Sequence, residues 1–406
     1  MNFKQVNQYI LSGHRLLNRK FALVVWFGCA VIGVSLALSR HELNNYLIYT
    51  NVYHHLIAGQ DLYASYPAQY QDVNLYGPFF GMVIAPFAWL PDSVGVVLWV
   101  ITNAAFLLFA FNRLPIPSRS VTALLFLCSN ELLIASNSVQ LNPIICGCIL
   151  LAFAYTSKGK DVLALFFIMA AGFIKIYGFV GLAFFFFSKD KLRFAGWAIV
   201  WALVFFCAPL LISNLSFLLH SYGDWFTILK EKNAKNISLE PGSIFQNVSV
   251  QGMIARIFGI AKFNEFFVLI PAAILFMSQY LKYRYFQDTR LRLYILCSVL
   301  LATVIFSSSA ESSTYIIAVP GLCIWYFLQP KTRGANFFFA FSVIVTTFCY
   351  TDVLSSWLSN KLFRPYSLKA MMPFALWLII IVQVYKKQFL KARTPIKDQK
   401  PRLSAV

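Results

Sequence analysis

The sequence predicts an all-α polytopic membrane protein, and three observations carry that expectation. Hydrophobic residues make up 59% of the 406-residue chain and charged residues 12%, with a mean hydropathy of +0.67. No soluble domain needs so much apolar surface. The apolar residues are gathered into runs of membrane-span length. The basic residues lie between those runs, so the net charge of +19 reads as membrane flanking, and no nucleic-acid partner is expected. All eight cysteines fall inside apolar runs and read as small hydrophobes, not as a disulfide framework. Cys146 and Cys148, two apart, point to different helix faces, and His and acidic residues nowhere show ligand spacing, so no metal site is expected.

The chain opens with a basic segment and the apolar run Phe21 to Leu38. It mimics a signal peptide, but no A-x-A-like cleavage site follows, so it reads as the first membrane helix. Residues 39–92 form the first long loop. Within it Tyr46, Tyr49, Tyr53 and Leu56 share one helical face, and Gly59 stops that helix. Tyrosines so placed suit a membrane–water interface. Tyr76-Gly77-Pro78 then breaks the chain before Phe79 to Leu90, a short apolar segment containing Pro86 that is expected to enter the bilayer only halfway. Further spans are expected at about 93–111, 120–136, 142–156, 162–187, 193–213, 264–281, 291–308, 314–329, 335–353 and 371–385, giving about 11 transmembrane helices. Gly172 and Lys175-Ile176-Tyr177-Gly178 interrupt the 162–187 run, which predicts two short helices in a hairpin with Lys175 near its tip.

The positive-inside rule orients this arrangement. With the N-terminus cytoplasmic and 79–90 not crossing, 24 of the 34 basic residues fall in inside loops and the tail. A crossing at 79–90 would place most of that charge outside. Both termini are therefore expected in the cytoplasm, with 386–406 a basic, headgroup-facing tail. The long loops 39–92, 214–263 and 354–370 lie on the outer face, where function is expected. The whole chain, 1–406, reads as one integral-membrane domain. It shows no internal repeat, which disfavours a secondary transporter, and no dinucleotide or P-loop glycine motif, which argues against direct use of ATP or a sugar nucleotide.

Ionisable groups at membrane depth cost about 2.5–3.5 kcal/mol each on insertion scales, so each needs a reason. Glu131 in CSNELLIAS, Lys175 in GFIKIYG and Glu311 in SSSAESSTY all fall near the outer ends of their spans. They either line one outward cavity, or snorkel and pair internally. Near them in the outer-face reading are Gln140 and Asn142 in SNSVQLNP, and Asn247 and Arg256 in FQNVSVQGMIARIFG. A cavity with Lys175, Arg256, amides and carboxylates suits a phosphate-bearing lipid with a sugar head. Gln140 and Asn247 also suit loop capping.

The array N-x-x-x-Y, G-x-D-L-Y, Y-G-P-F-F, A-P-F-A-x-L-P and Trp99 with Asn103 resembles glycosyltransferase family 87. SVQLN (138–142), AAGFIKIYG (170–178), NVSVQGMIARIFG (247–259) and SSAESSTY (308–315) are similar to further family elements, in order, over roughly 40 to 330. The resemblance implies a GT-C-like bundle with interfacial helices in the first outer loop, in a bacterial plasma membrane. It implies a hexosyltransferase moving mannose from a polyprenyl-phosphate carrier to a lipid or glycan acceptor, with inversion, at the outer face. The partners are membrane lipids, the lipid-linked donor and the acceptor; no cofactor is expected. Tyr76 and Tyr315 fall within matching elements and join the substrate-binding candidates. The family's loop aspartate corresponds to Asn45, an amide that cannot serve as a general base. A family histidine is replaced at Thr314 or Tyr315. Glu42, one helical turn from Asn45, is the first substitute base, then Glu311, with Asp72 a third carboxylate. Replacement of both family residues leaves a second reading open, a protein of the same fold that binds or flips a lipid-linked sugar without transferring it. A carboxylate in the cavity of Lys175 and Arg256 would favour the enzyme.

Overall fold

The computed structural model describes residues 18–238, 245–261 and 263–390, and every regular element among them is helical. Lys4, Arg15 and residues 391–406 of the basic tail lie outside the described residues. The chain runs α1 (Arg19–Ser39), α2 (Asn44–Ala58), α3 (Phe79–Ala88), α4 (Asp92–Phe111), α5 (Ser118–Asn137), α6 (Asn142–Ser157) and α7 (Asp161–Ile174). It continues as α8 (Lys191–Cys207), α9 (Leu215–Ile237), α10 (Val250–Phe258), α11 (Phe266–Ser278), α12 (Thr289–Ile305), α13 (Ala318–Leu328), α14 (Arg333–Val343) and α15 (Met371–Tyr385).

Among the described residues, 6 helical runs are long and apolar enough to cross a membrane: Arg19–Ser39, Asp92–Phe111, Ser118–Asn137, Lys191–Leu211, Phe266–Tyr285 and Leu368–Tyr385. The expected spans at 142–156, 162–187, 314–329 and 335–353 fall instead in a class of shorter apolar helices of 10–17 residues. About 11 full-length spans are therefore not what helix length supports. Backbone breaks are one reason: Lys175 is extended (φ −146, ψ 128) between α7 and the 3₁₀ segment Ile176–Phe187.

That break makes a hairpin, because the two arms fold back on each other. A Cβ on Gly178 would lie 2.2 Å from the Gly172 nitrogen, so the tip closes only without a side chain there. At the base, Ser188 Oγ donates to Asp161 Oδ2 at 2.6 Å. Lys175 thus stands at the tip, one α7 length (about 20 Å) from Asp161.

Most of the tyrosine face of α2 packs inward, while Tyr53 stays half-buried and accepts from the exposed Trp89. Tyr46, Tyr49 and Leu56 are fully buried. Tyr46 OH donates to the Phe87 carbonyl at 3.0 Å, and Tyr49 meets Tyr76, Phe80 and Trp99 edge-on. Because α3 folds back over α2, the rings bind α2, α3 and α4 together. The 10 residues of α3 rise about 15 Å, half the hydrocarbon thickness.

Among its described residues the segment 214–263, read from sequence as a loop, holds the helices α9 and α10. Asn214 and Ser249 cap them, accepting from the Phe217 and Gly252 N–H groups. The 23-residue α9 lies over the first loop, where Trp225 Nε1 donates to the Leu75 carbonyl at 3.0 Å. Gly77 seats that loop on the hairpin tip. Its N–H donates to the Ile174 carbonyl at 3.1 Å, and a Cβ there would come within 2.2 Å of the Phe173 carbonyl.

Candidate active site

Five segments meet at the hairpin tip: the start of α2, the 72–76 stretch, the 138–142 turn, α9 and the turn after α12. Between them lies a cavity of about 110 Å³ lined by Asn45, Asp72, Tyr76, Gln140, Lys175, Tyr177, Lys232 and Glu311, among others. This is the space of roughly four water molecules, enough for a phosphate group.

A directed chain of hydrogen bonds crosses its wall. Lys175 Nζ donates to Asn142 Oδ1 (3.0 Å), Asn142 Nδ2 to Gln140 Oε1 (3.4 Å), and Gln140 Nε2 to Glu311 Oε2 (3.3 Å). The ammonium and the carboxylate are therefore linked through two amides, all with the same polarity. Lys175 also lies 4.7 Å from the Tyr177 ring centre and 6.0 Å from that of Tyr76. Glu311 caps the short helical turn Ser312–Ile316, its backbone N–H donating to Thr314 Oγ1 at 3.1 Å, and its carboxylate accepts from Ser313 Oγ at 3.3 Å. Burial raises the Glu311 carboxyl above its usual range, and Lys175 and Ser313 partly oppose that rise.

Of the expected residues, Tyr76, Gln140, Lys175 and Glu311 line this cavity, as does Asn45. Asn142 joins it through the chain of amides. Asn45 Nδ2 donates to the Ser138 carbonyl at 2.7 Å, which fastens α2 to the 138–142 turn. Glu42 lies elsewhere. It is exposed and lines a neighbouring cavity of about 570 Å³ with His41, Gln69, Gln71 and Asn137, and Asn44 and Asn45 border both spaces.

Arg256, Asn247 and Tyr315 form a separate group. Arg256 Nη1 donates to the Asn247 carbonyl at 2.7 Å and also to Ser367 Oγ. Asn247 Nδ2 donates to the Asn236 carbonyl at 2.9 Å. Tyr315 is fully buried and donates to the Val248 carbonyl at 2.8 Å. These three side chains tie the 247–249 turn to its neighbours, and Arg256 is not among the residues that line the Lys175 cavity. The second cation is Lys232, on α9, 3.0 Å from Asp72 Oδ2. Sequence reasoning missed it because its segment was read as loop.

Glu131 takes the internal-pairing alternative. Its carboxylate meets Lys369 Nζ at 3.0 and 3.2 Å, with both side chains wholly buried. Lys369 also donates to Ser312 Oγ (2.9 Å) and the Ser312 carbonyl (3.2 Å), next to Glu311. In the sequence Lys369 is indistinguishable from a span-flanking cation.

The profile of glycosyltransferase family 87 matches residues 74–308, more than half of the chain. The chain belongs to glycosyltransferase family 87. This family 87 member is accordingly a membrane glycosyltransferase, and the match spans the Lys175 hairpin and the 138–142 turn while stopping three residues short of Glu311. No curated protein matches the chain.

Proposed function

We propose that this glycosyltransferase moves a hexose, mannose in the reading we adopt, from a polyprenyl-phosphate carrier to a lipid or glycan acceptor at the outer face of the membrane. The observation that carries this reading is the joining of Lys175 and Glu311, through Asn142 and Gln140, around one cavity that also contains Lys232. The donor phosphate binds Lys175 and Lys232. The acceptor hydroxyl enters from the larger neighbouring cavity, whose Asn44, Gln69, Gln71 and Asn137 offer amides to a polyhydroxyl ligand. In the transfer, the acceptor O–H proton passes to the Glu311 carboxylate and the oxygen bonds to the sugar's anomeric carbon. The carbon–oxygen bond to the phosphate breaks, and its electron pair leaves on the phosphate facing the two ammonium groups.

The test is transfer of labelled mannose from a polyprenyl-phosphate donor in membranes, comparing the intact protein with Glu311→Gln and Glu42→Gln. Loss of product in Glu311→Gln alone supports the assignment. Loss in Glu42→Gln alone moves the base to the outer cavity. The Asn45 amide in the family's aspartate position favours a second reading, a carrier that binds or flips a lipid-linked sugar. Donor binding without product in the intact protein, across lipid and glycan acceptors, would establish that reading instead.

A further inference from the structure

At the base of the hairpin, about 20 Å along α7 from Lys175, lies a groove of about 440 Å³ between the starts of α7 and α8. Its rim carries three exposed cations, Lys160, Lys189 and Arg193, and one exposed carboxylate, Asp190, whose Oδ1 already accepts from the Arg193 N–H at 2.9 Å. Its floor carries Asp161, which is only 8% exposed. One carboxylate oxygen, Oδ2, accepts from Ser188. The other, Oδ1, is shielded from water and has no hydrogen-bond partner. Lys191 does not supply one, since its ammonium donates to the carbonyls of Phe185 (2.8 Å) and Ser188 (2.7 Å). A buried, unpaired carboxylate oxygen is costly and calls for a donor.

The surroundings show where a donor would come from. Leu163, in the groove wall, and Leu192 are 43% and 87% exposed, and Ile199, Leu203 and Val204 continue an exposed apolar face down α8. Little of that helical run, Lys191–Leu211, is buried. A polar groove directly above an apolar helix face has the profile of a phospholipid, headgroup above and acyl chains below.

We infer that this groove seats a membrane phospholipid whose headgroup carries both a phosphate and a primary ammonium. The phosphate lies against Lys160, Lys189 and Arg193, and the ammonium donates to Asp161 Oδ1, which a turn of the carboxylate brings to the groove when the lipid binds. The charge pattern selects this headgroup: an anionic glycerol headgroup has no cation for Asp161, and a trimethylammonium headgroup has no N–H to donate. The site is independent of the sugar-transfer chemistry at the other end of the hairpin.

The experiment is lipid binding to the delipidated, detergent-purified full chain, read by native mass spectrometry, with phosphatidylethanolamine, phosphatidylcholine and phosphatidylglycerol of matched acyl chains. Phosphatidylethanolamine is expected to bind about tenfold more tightly than phosphatidylcholine, the worth of one charge-assisted hydrogen bond. Asp161→Asn, which removes the charge but keeps an acceptor oxygen, narrows that difference, and the exposed double variant Lys189→Gln/Arg193→Gln weakens all three lipids. Equal binding of the two zwitterionic lipids overturns the inference, as does a preference that Asp161→Asn leaves undiminished. Competition by glycerophosphoethanolamine at the potency of the intact lipid would also overturn it, because the ligand would then be a soluble phosphate ester. If Asp161→Asn does not fold, the wild-type comparison and the exposed double variant still decide.

Discussion

The protein holds two lysine–glutamate pairs near the same turn, and they are built in opposite ways. Lys369 and Glu131 touch directly and are wholly buried, and Lys369 donates a further bond to Ser312. Lys175 and Glu311 are separated by two amides and border open space. A buried ion pair in direct contact uses its mutual attraction to offset the cost of its desolvation and leaves nothing for a ligand. A pair held apart by amides keeps both charges available to a substrate while the amides prevent collapse. Ser312 and Glu311 are consecutive, so the closed pair anchors the turn that presents the open one.

The largest effect should come from breaking the closed pair. Lys369→Met leaves Glu131 as an uncompensated buried charge and should cost about 3–5 kcal/mol. It should be seen as loss of monodisperse protein in detergent or a large fall in melting temperature. Lys369→Met with Glu131→Leu should recover most of that stability, and failure to recover would mean that the Ser312 contacts carry the anchoring.

Breaking the open pair should leave stability nearly unchanged and act on turnover. Glu311→Gln should reduce transfer by about 10²–10⁴-fold, the range for a general base. Lys175→Met should reduce it by about 10²–10³-fold, the range for removing one stabiliser of transition-state charge. Melting temperatures falling as far as in Lys369→Met would erase the distinction between the pairs.

The pH profile sharpens the comparison. Glu311 accepts a proton only when ionised, and burial raises its pKa above the usual carboxylate range. Transfer should therefore rise with pH through that raised value and be lost below it. Lys175 opposes the rise, so the residual activity of Lys175→Met should show its acid limb at higher pH. An unchanged limb would remove Glu311 from the base role. The smallest effect belongs to Lys232→Gln on stability. Its partner Asp72 is 43% exposed, so the ion pair itself is worth no more than about 1 kcal/mol, and a melting scan should show little change even where donor binding weakens.

Much of this site was legible because it violates its surroundings. Lys175 interrupts an apolar run beside glycines, Glu311 sits in a serine-rich break, and Gln140 and Asn142 flank a helix start; polar residues in apolar sequence are visible without coordinates. Glu42 follows from chemistry and nearness to Asn45 along the chain, Arg256 from chemistry and an outer-face loop, and the fold sends them to a neighbouring cavity and to a backbone anchor. The helix α9 was missed because its lysines and asparagines make it too polar for a span. Its burial of Trp225 against the first loop is a tertiary contact that sequence spacing does not display.

What the sequence by itself determined is the membrane-protein class, the helical hairpin with Lys175 at its tip, and the set of polar groups that had to be explained. Hydropathy and backbone breakers act locally, so they can be read in one dimension. Only the tertiary structure decided which charge meets which. Glu131 and Lys369 are 238 residues apart in the chain and in direct contact, whereas Glu311 reaches Lys175 only through amides from a third segment. Electrostatic energies depend on distance and burial, and neither is written in the order of residues.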